Sequence, residues 1–193
     1  LVDAIFASPF MLTLGPTAGY SVATLVMLWT NGLAVRWLAR AAGAGDAAST
    51  AAGAIVLLHP FISWELAGGR PTQAWVALPA LALGTWALIA TGRGGWRVAI
   101  AAGVLSALTF LEYWYGGLFI GLGAAVLALP QLRLLRQPEG RARLAKAAVA
   151  VAIMTAGIAP FIWMLLDAHA TLPGVGAAGA EVVECPRRGY GSA

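Results

Sequence analysis

The sequence predicts an all-α fold, a polytopic transmembrane helical bundle of about six spans. Three observations predict it. Charged residues make up 10% of the 193 and hydrophobic residues 60%, with a mean hydropathy of +0.81. A soluble domain carries about 25% charged residues, and so little charge cannot cover a water-facing surface. The apolar residues fall into stretches near the ~20 residues a helix needs to cross the hydrocarbon core. Lys and Arg, finally, collect on alternate connections between those stretches. Because backbone polar groups in lipid must be satisfied within their own segment, helices are selected over open strands.

Residues 1–15 (LVDAIFASPFMLTLG) are apolar but interrupted by Pro9 and Gly15, as in an interfacial helix or the remnant of an earlier span. The spans follow at Ala18–Leu38, Ala47–Trp64, Thr72–Ala90, Trp96–Tyr113, Gly116–Pro130 and Ala147–Leu166. Pro60 is expected to kink the second span and free a carbonyl. His59 beside it reads as a buried histidine bonded to such a group, or as a catalytic one. Pro71 opens the third span near its first turn, where a missing N–H costs least. Gly116 and Gly117 suit a tight hairpin between the fourth and fifth spans. The Gly117–Gly121 spacing allows close helix packing, but with 24 glycines such a match arises by chance. Residues 1–166 thus form a transmembrane domain, and 167–193, rich in Gly and Ala, a flexible non-cytoplasmic tail. A start at Leu1 rather than Met, with no signal peptide, predicts a piece of a longer protein. The lone Cys185 excludes an intrachain disulfide.

Charge placement sets an expected orientation. Arg36, Arg40, Arg93, Arg97, Arg133, Arg136, Arg141, Arg143 and Lys146 are nine of the twelve cations, all on alternate loops. The positive-inside rule places those loops in the cytoplasm, and the expected location is the cell inner (plasma) membrane. The opposite side receives the 64–72 loop, the 112–116 turn and the tail, with Asp3, Glu65, Glu112, Asp167, Glu181 and Glu184. Trp37 and Trp96 fall near one set of helix ends and Trp64, Trp75, Trp114 and Trp163 near the other, as in aromatic belts. Trp29 and Trp86 lie deeper and read as packing residues.

Two polar clusters interrupt the apolar sequence, and each has a plain reading. Glu65 and Arg70 flank Gly68-Gly69 in "HPFISWELAGGRPTQAW". They read as ordinary interfacial charges, or as an anion site, since Arg70 is the one cation on its side before the tail. Guanidinium matches phosphate in bidentate geometry, and the free N–H groups at the start of the third span would add to the attraction. Glu112 lies in "FLEYWYGG" beside Tyr113, Trp114 and Tyr115. This is either an aromatic belt around a hairpin or a carboxylate beside aromatic faces able to hold a sugar. Asp167 and His169, after the last span, are close enough in sequence to pair. No metal-ligand spacing, nucleotide loop, Ser-His-Asp set or redox motif occurs, and no nucleic-acid partner is expected.

The stretches "LGPTAGYSVATLVMLWTNGLAVRWLAR", "HPFISWELAGGRPTQAWVALPALAL" and "ALTFLEYWYGGLFIGLGAAVLAL" resemble consecutive pieces of bacterial multi-pass membrane glycosyltransferases of the GT-C type. The matching positions are Leu38-Ala39-Arg40, Pro60, Gly69-Arg70, Thr72-Gln73 and Tyr115-Gly116-Gly117-Leu118-Phe119, over roughly residues 10–130. The resemblance implies a polyprenyl-phosphate sugar donor and transfer on the non-cytoplasmic face. It assigns Arg70 to the donor phosphate, and Glu65, Gln73, Glu112 and Tyr115 to the pocket wall. Asp3 lacks the preceding helix that the family's catalytic Asp has, so the resemblance places the base upstream of this piece. Two rivals remain: a transporter or flippase-like binding protein for an anionic lipid, and a membrane scaffold without chemistry.

Overall fold

The computed structural model describes residues 2–129, 133 and 137–171, and every regular element among them is a helix. Arg136 and the part of the expected tail beyond residue 171 lie outside the described residues. The helices are α1 (Val2–Leu14), α2 (Pro16–Ala41), α3 (Asp46–Leu57), α4 (Pro60–Ala67), α5 (Pro71–Ala74), α6 (Ala77–Ala90), α7 (Trp96–Glu112), α8 (Trp114–Ala128) and α9 (Pro138–Thr171). Two compact units result, residues 1–158 and residues 159–193.

By length and composition, three of these segments can cross a membrane: Pro16–Ala41, Asp46–Ala67 and Pro138–Ala170. The six expected spans are therefore matched in part. The second falls within Asp46–Ala67 and is interrupted at Leu58-His59, between α3 and α4, where the expected kink lies because Pro60 cannot donate to the ladder. His59 caps α4 by accepting the Phe61 N–H on Nδ1 at 3.2 Å, and its side chain is exposed rather than buried. The third span is also broken, at Trp75-Val76. What remains as α6 has 14 residues, about 21 Å, less than the ~30 Å core. With 17 and 15 residues, α7 and α8 are short in the same way.

In the first unit, Gly15 at φ 80° turns the chain so that α1 folds back on α2. The α2–α3 hairpin is held by backbone proximity: a Cβ on Gly53 would meet the Gly32 carbonyl oxygen at 2.5 Å. Asp46, in the first turn of α3, pairs with Arg40 and, at 3.8 Å, with Arg36 across that hairpin. One core joins α6, α7, α8 and α9 through Trp86, Ile89, Ala99, Ala102, Ile120 and Ala150. A second joins α2 to α6 through Met27, Ala34, Trp75, Ala77 and Leu78. Trp86 is buried and donates Nε1–H to Ser106 Oγ at 3.1 Å, as a packing residue should. Trp29, expected to pack, is instead exposed, beside the groove between α2 and α3.

Cations gather at one end of this unit because helix C-termini end there with unpaired carbonyls. Arg93 donates to Ala41 C=O at the end of α2, and Arg143 Nη1 donates to Ala90 C=O at the end of α6 at 3.0 Å. Lys146 Nζ donates to Gly94 C=O at 2.6 Å. The alternating loops read from sequence do converge on one end.

In the second unit, the described residues continue α9 to Thr171, so Asp167 and His169 lie on the helix rather than after it. Two residues apart on a helix, they point to different faces and are not a facing pair.

Candidate functional site

At the other end of the first unit, α4 closes with glycine-dependent geometry. Gly69 sits at φ 71°, its N–H donates to Leu66 C=O at 3.0 Å, and the Arg70 N–H donates to Glu65 C=O at 2.8 Å. These are the two bonds of a Schellman turn, which uses a left-handed glycine to satisfy the last helical carbonyls. The turn carries Arg70 back over the final turn of α4. Its Nε lies 2.7 Å from Glu65 Oε2, and its guanidinium passes beside Gly68.

The two partners differ in environment. Glu65 is 5% exposed, whereas the Arg70 side chain keeps 49% of its surface. A buried carboxylate is costly without a compensating charge, so Arg70 is held where Glu65 needs it. One edge of the guanidinium faces Glu65. About half of the Arg70 side chain remains exposed, with one Nη beside Gly68, and a guanidinium has the fork geometry that suits a phosphate.

Sequence reasoning predicted help from the N-terminus of the third span, and the structure corrects this. Arg70 is followed by α5, only the four residues Pro71–Ala74, and such a turn has no macrodipole to offer an anion. Gln73 lies half-buried in that turn with its N–H on Arg70 C=O at 3.1 Å.

Asn31 is the residue that sequence reasoning missed. Fully buried in the middle of α2, it bridges the break between α5 and α6. Its Nδ2 donates to Ala74 C=O at 2.8 Å, and its Oδ1 accepts the Ala77 N–H at 2.9 Å. Buried irregular backbone is tolerated where protein groups satisfy it, and one side chain does so here. Trp75, in the break, donates Nε1–H to Thr30 Oγ1 at 3.2 Å and packs its ring 4.9 Å from Phe6 of α1. A lone Asn inside an apolar run was the available signal.

Glu112 ends α7, and its Oε2 accepts the Asp3 N–H at 3.0 Å, so α1 begins against the end of α7. The α7–α8 junction is the single extended residue Tyr113, at φ −153° and ψ 109°, not the glycine pair expected to form it. Gly116 and Gly117 instead lie in the first turn of α8, where their missing side chains let it approach Thr109 and Phe110 of α7. Tyr115 is exposed, with its ring centroid 3.6 Å from that of Trp114 and 5.4 Å from that of Tyr113. Asp3 and Pro71 meet on the wall of a cavity of about 240 Å³ between α1 and α2, with Tyr20, Thr24 and Met27. Neither the Glu65–Arg70 pair nor Glu112, Gln73 or Tyr115 lines it, although Arg70 adjoins Pro71 and Glu112 is bonded to Asp3.

Among the described residues no group of three or more His, Cys, Asp or Glu could hold a metal ion. No family model matches this chain, and no curated protein or solved structure matches it significantly. What stands is the class: an all-helical protein with helices able to cross a membrane, and a polar rim at one end of its first unit.

Proposed function

We propose that this chain is part of a membrane glycosyltransferase that takes its sugar from a polyprenyl-phosphate donor at the Arg70 end. One observation carries the reading: Arg70 is fixed by the buried Glu65 on one edge while half of its side chain stays exposed. A side chain held in place is a better phosphate ligand than a mobile one, because less side-chain entropy is lost on binding. The carboxylate of Glu112 and the clustered rings of Tyr113, Trp114 and Tyr115 supply the two chemistries that sugar recognition uses, hydrogen bonding and an apolar face. In transfer, an acceptor hydroxyl attacks the anomeric carbon and the bond from that carbon to the phosphate oxygen breaks. The polyprenyl phosphate departs with Arg70 balancing its charge, a carboxylate base takes the acceptor proton, and the single displacement inverts the anomeric centre.

The same reading places the protein in the plasma membrane, with the Arg93, Arg143 and Lys146 end in the cytoplasm by the positive-inside rule. The Arg70 rim then faces outward, where polyprenyl-linked sugars are used. The test is transfer of radiolabelled sugar from a panel of polyprenyl-phosphate sugars by membranes carrying the complete protein. Transfer from one donor, lowered at least ten-fold by Arg70→Ala, supports the reading. Absence of transfer from every donor, with polyprenyl phosphate still bound, favours an anionic-lipid binding or flipping protein instead.

A further inference from the structure

The cation-rich end holds a feature unrelated to Arg70. Where α9 packs on α7, a Cβ on Gly103 would meet Ala150 C=O at 2.6 Å, so the two helices lie nearly in backbone contact. Because α8 packs on α6 and α7, α8 and α9 diverge and leave a slot of about 540 Å³ with Trp86 on its floor. Its walls are Gly121, Ala124 and Ala128 of α8 and Leu144, Ala148 and Ala152 of α9. A smaller space of about 50 Å³ shares Trp86, Ala124, Ala128, Leu144 and Ala147 with it and reaches Arg143. The slot thus continues from Met154 to Leu144 along α9, then past Arg143 to Gly140.

Length and charge together choose the occupant. From Leu144 to Met154 is a rise of ten residue steps, about 15 Å of helix, which equals half of the ~30 Å hydrocarbon core. The slot therefore runs one leaflet deep. Its inner walls are apolar, and its outer end carries Arg143, with Glu139, Arg141 and Lys146 on the same helix and Arg93 at the same end of the unit. Arg143 keeps its bond to Ala90 C=O, so its position at the mouth is fixed by the end of α6.

We propose that this slot holds one acyl chain of an anionic phospholipid drawn from the leaflet on the cation side, with the lipid phosphate at Arg143. A zwitterionic lipid fits the slot equally well but lacks the net negative charge that the mouth attracts.

The experiment is native mass spectrometry of the complete protein in detergent, titrated with phosphatidylglycerol or with phosphatidylcholine of the same chains. Phosphatidylglycerol binds about five-fold tighter, the preference expected from one cation near a headgroup. Arg143→Gln removes that preference. Ala148→Trp, which fills the slot, weakens phosphatidylglycerol at least ten-fold, while Ala145→Trp, exposed on α9 outside the slot lining, leaves it unchanged. Equal binding of the two lipids overturns the headgroup assignment, and full binding by a monodisperse Ala148→Trp protein overturns the slot. A dimer that excludes phosphatidylglycerol and is dissolved by Ala148→Trp shows that a second copy occupies the slot, which also overturns the proposal. Should Ala148→Trp fail to fold, phosphatidylglycerol with a photoactivatable acyl chain decides on the unaltered protein. Labelling of α8 and α9 supports the slot, and labelling confined to other helices refutes it.

Discussion

Asn31→Leu is the sharpest perturbation of the fold around the rim. Leucine matches asparagine in heavy-atom number and is at home in a helix, though its bulkier branched end adds a packing cost at a fully buried site. What it removes is the bridge across the α5–α6 break. The Ala77 N–H then loses its only described partner in a fully buried position, at about 1–3 kcal/mol. Ala74 C=O is hit less hard, because it also accepts the Val76 N–H at 3.2 Å, and costs about 1 kcal/mol. The sum is about 2–4 kcal/mol, which for a chain of this size lowers the melting temperature by roughly 5–15 °C. Tryptophan fluorescence follows the transition in detergent, since Trp75 sits in the break itself. Amide exchange at Ala77 should rise in the variant well before the global transition. If Asn31→Leu melts with the parent and protects Ala77 equally, the break is not held by Asn31 and the argument fails.

Other consequences are as concrete. Arg70→Ala strands a buried carboxylate and should cost about 1–3 kcal/mol, more than Glu65→Gln, which frees a cation already half in solvent. A double-mutant cycle in chemical denaturation reads the difference, and equal single-variant costs would contradict the asymmetry. Gly53→Leu drives a side chain into the Gly32 carbonyl and should abolish the monodisperse peak in size-exclusion chromatography, whereas Gly121→Leu, which meets nothing within 4 Å, should not. Trp86→Phe deletes the bond to Ser106 and should cost about 1 kcal/mol in the same denaturation assay. With Cys185 replaced by Ser, single cysteines at Gly68 and at Gly95 should react with an impermeant maleimide from opposite sides of a membrane vesicle. Reaction of both from the same side would break the proposed topology.

The sequence showed what composition and periodicity control. Low charge and long apolar runs announced the helices, and the alternation of Arg-rich loops announced that Arg93, Arg143 and Lys146 would share an end. Boundaries were less legible where a single residue sets local geometry. Thr72–Ala90 reads as one span because Trp75 and Val76 are as apolar as their neighbours, and nothing local says that the ladder stops there. The break exists because Asn31, more than forty residues away, satisfies its backbone. The pairing of Glu65 with Arg70 was half visible, as two charges around a Gly-Gly turn. Its direction was not, since it takes the Schellman turn at Gly69 to send Arg70 backwards. Asp3 stood at the edge of the chain with no visible role, and only the return of α1 onto α2 brings it to Glu112.

The claim on which the functional reading rests is that Arg70 holds a phosphate, and binding tests it without requiring the reaction. Equilibrium affinity for polyprenyl phosphate should be compared between the parent, Arg70→Ala and Arg70→Lys, each shown to be folded by its melting curve. A charge-assisted contact contributes about 1.5–3 kcal/mol, so Arg70→Ala should bind roughly 10- to 100-fold more weakly, with Arg70→Lys between them. Identical affinities for all three would show that no phosphate rests on Arg70.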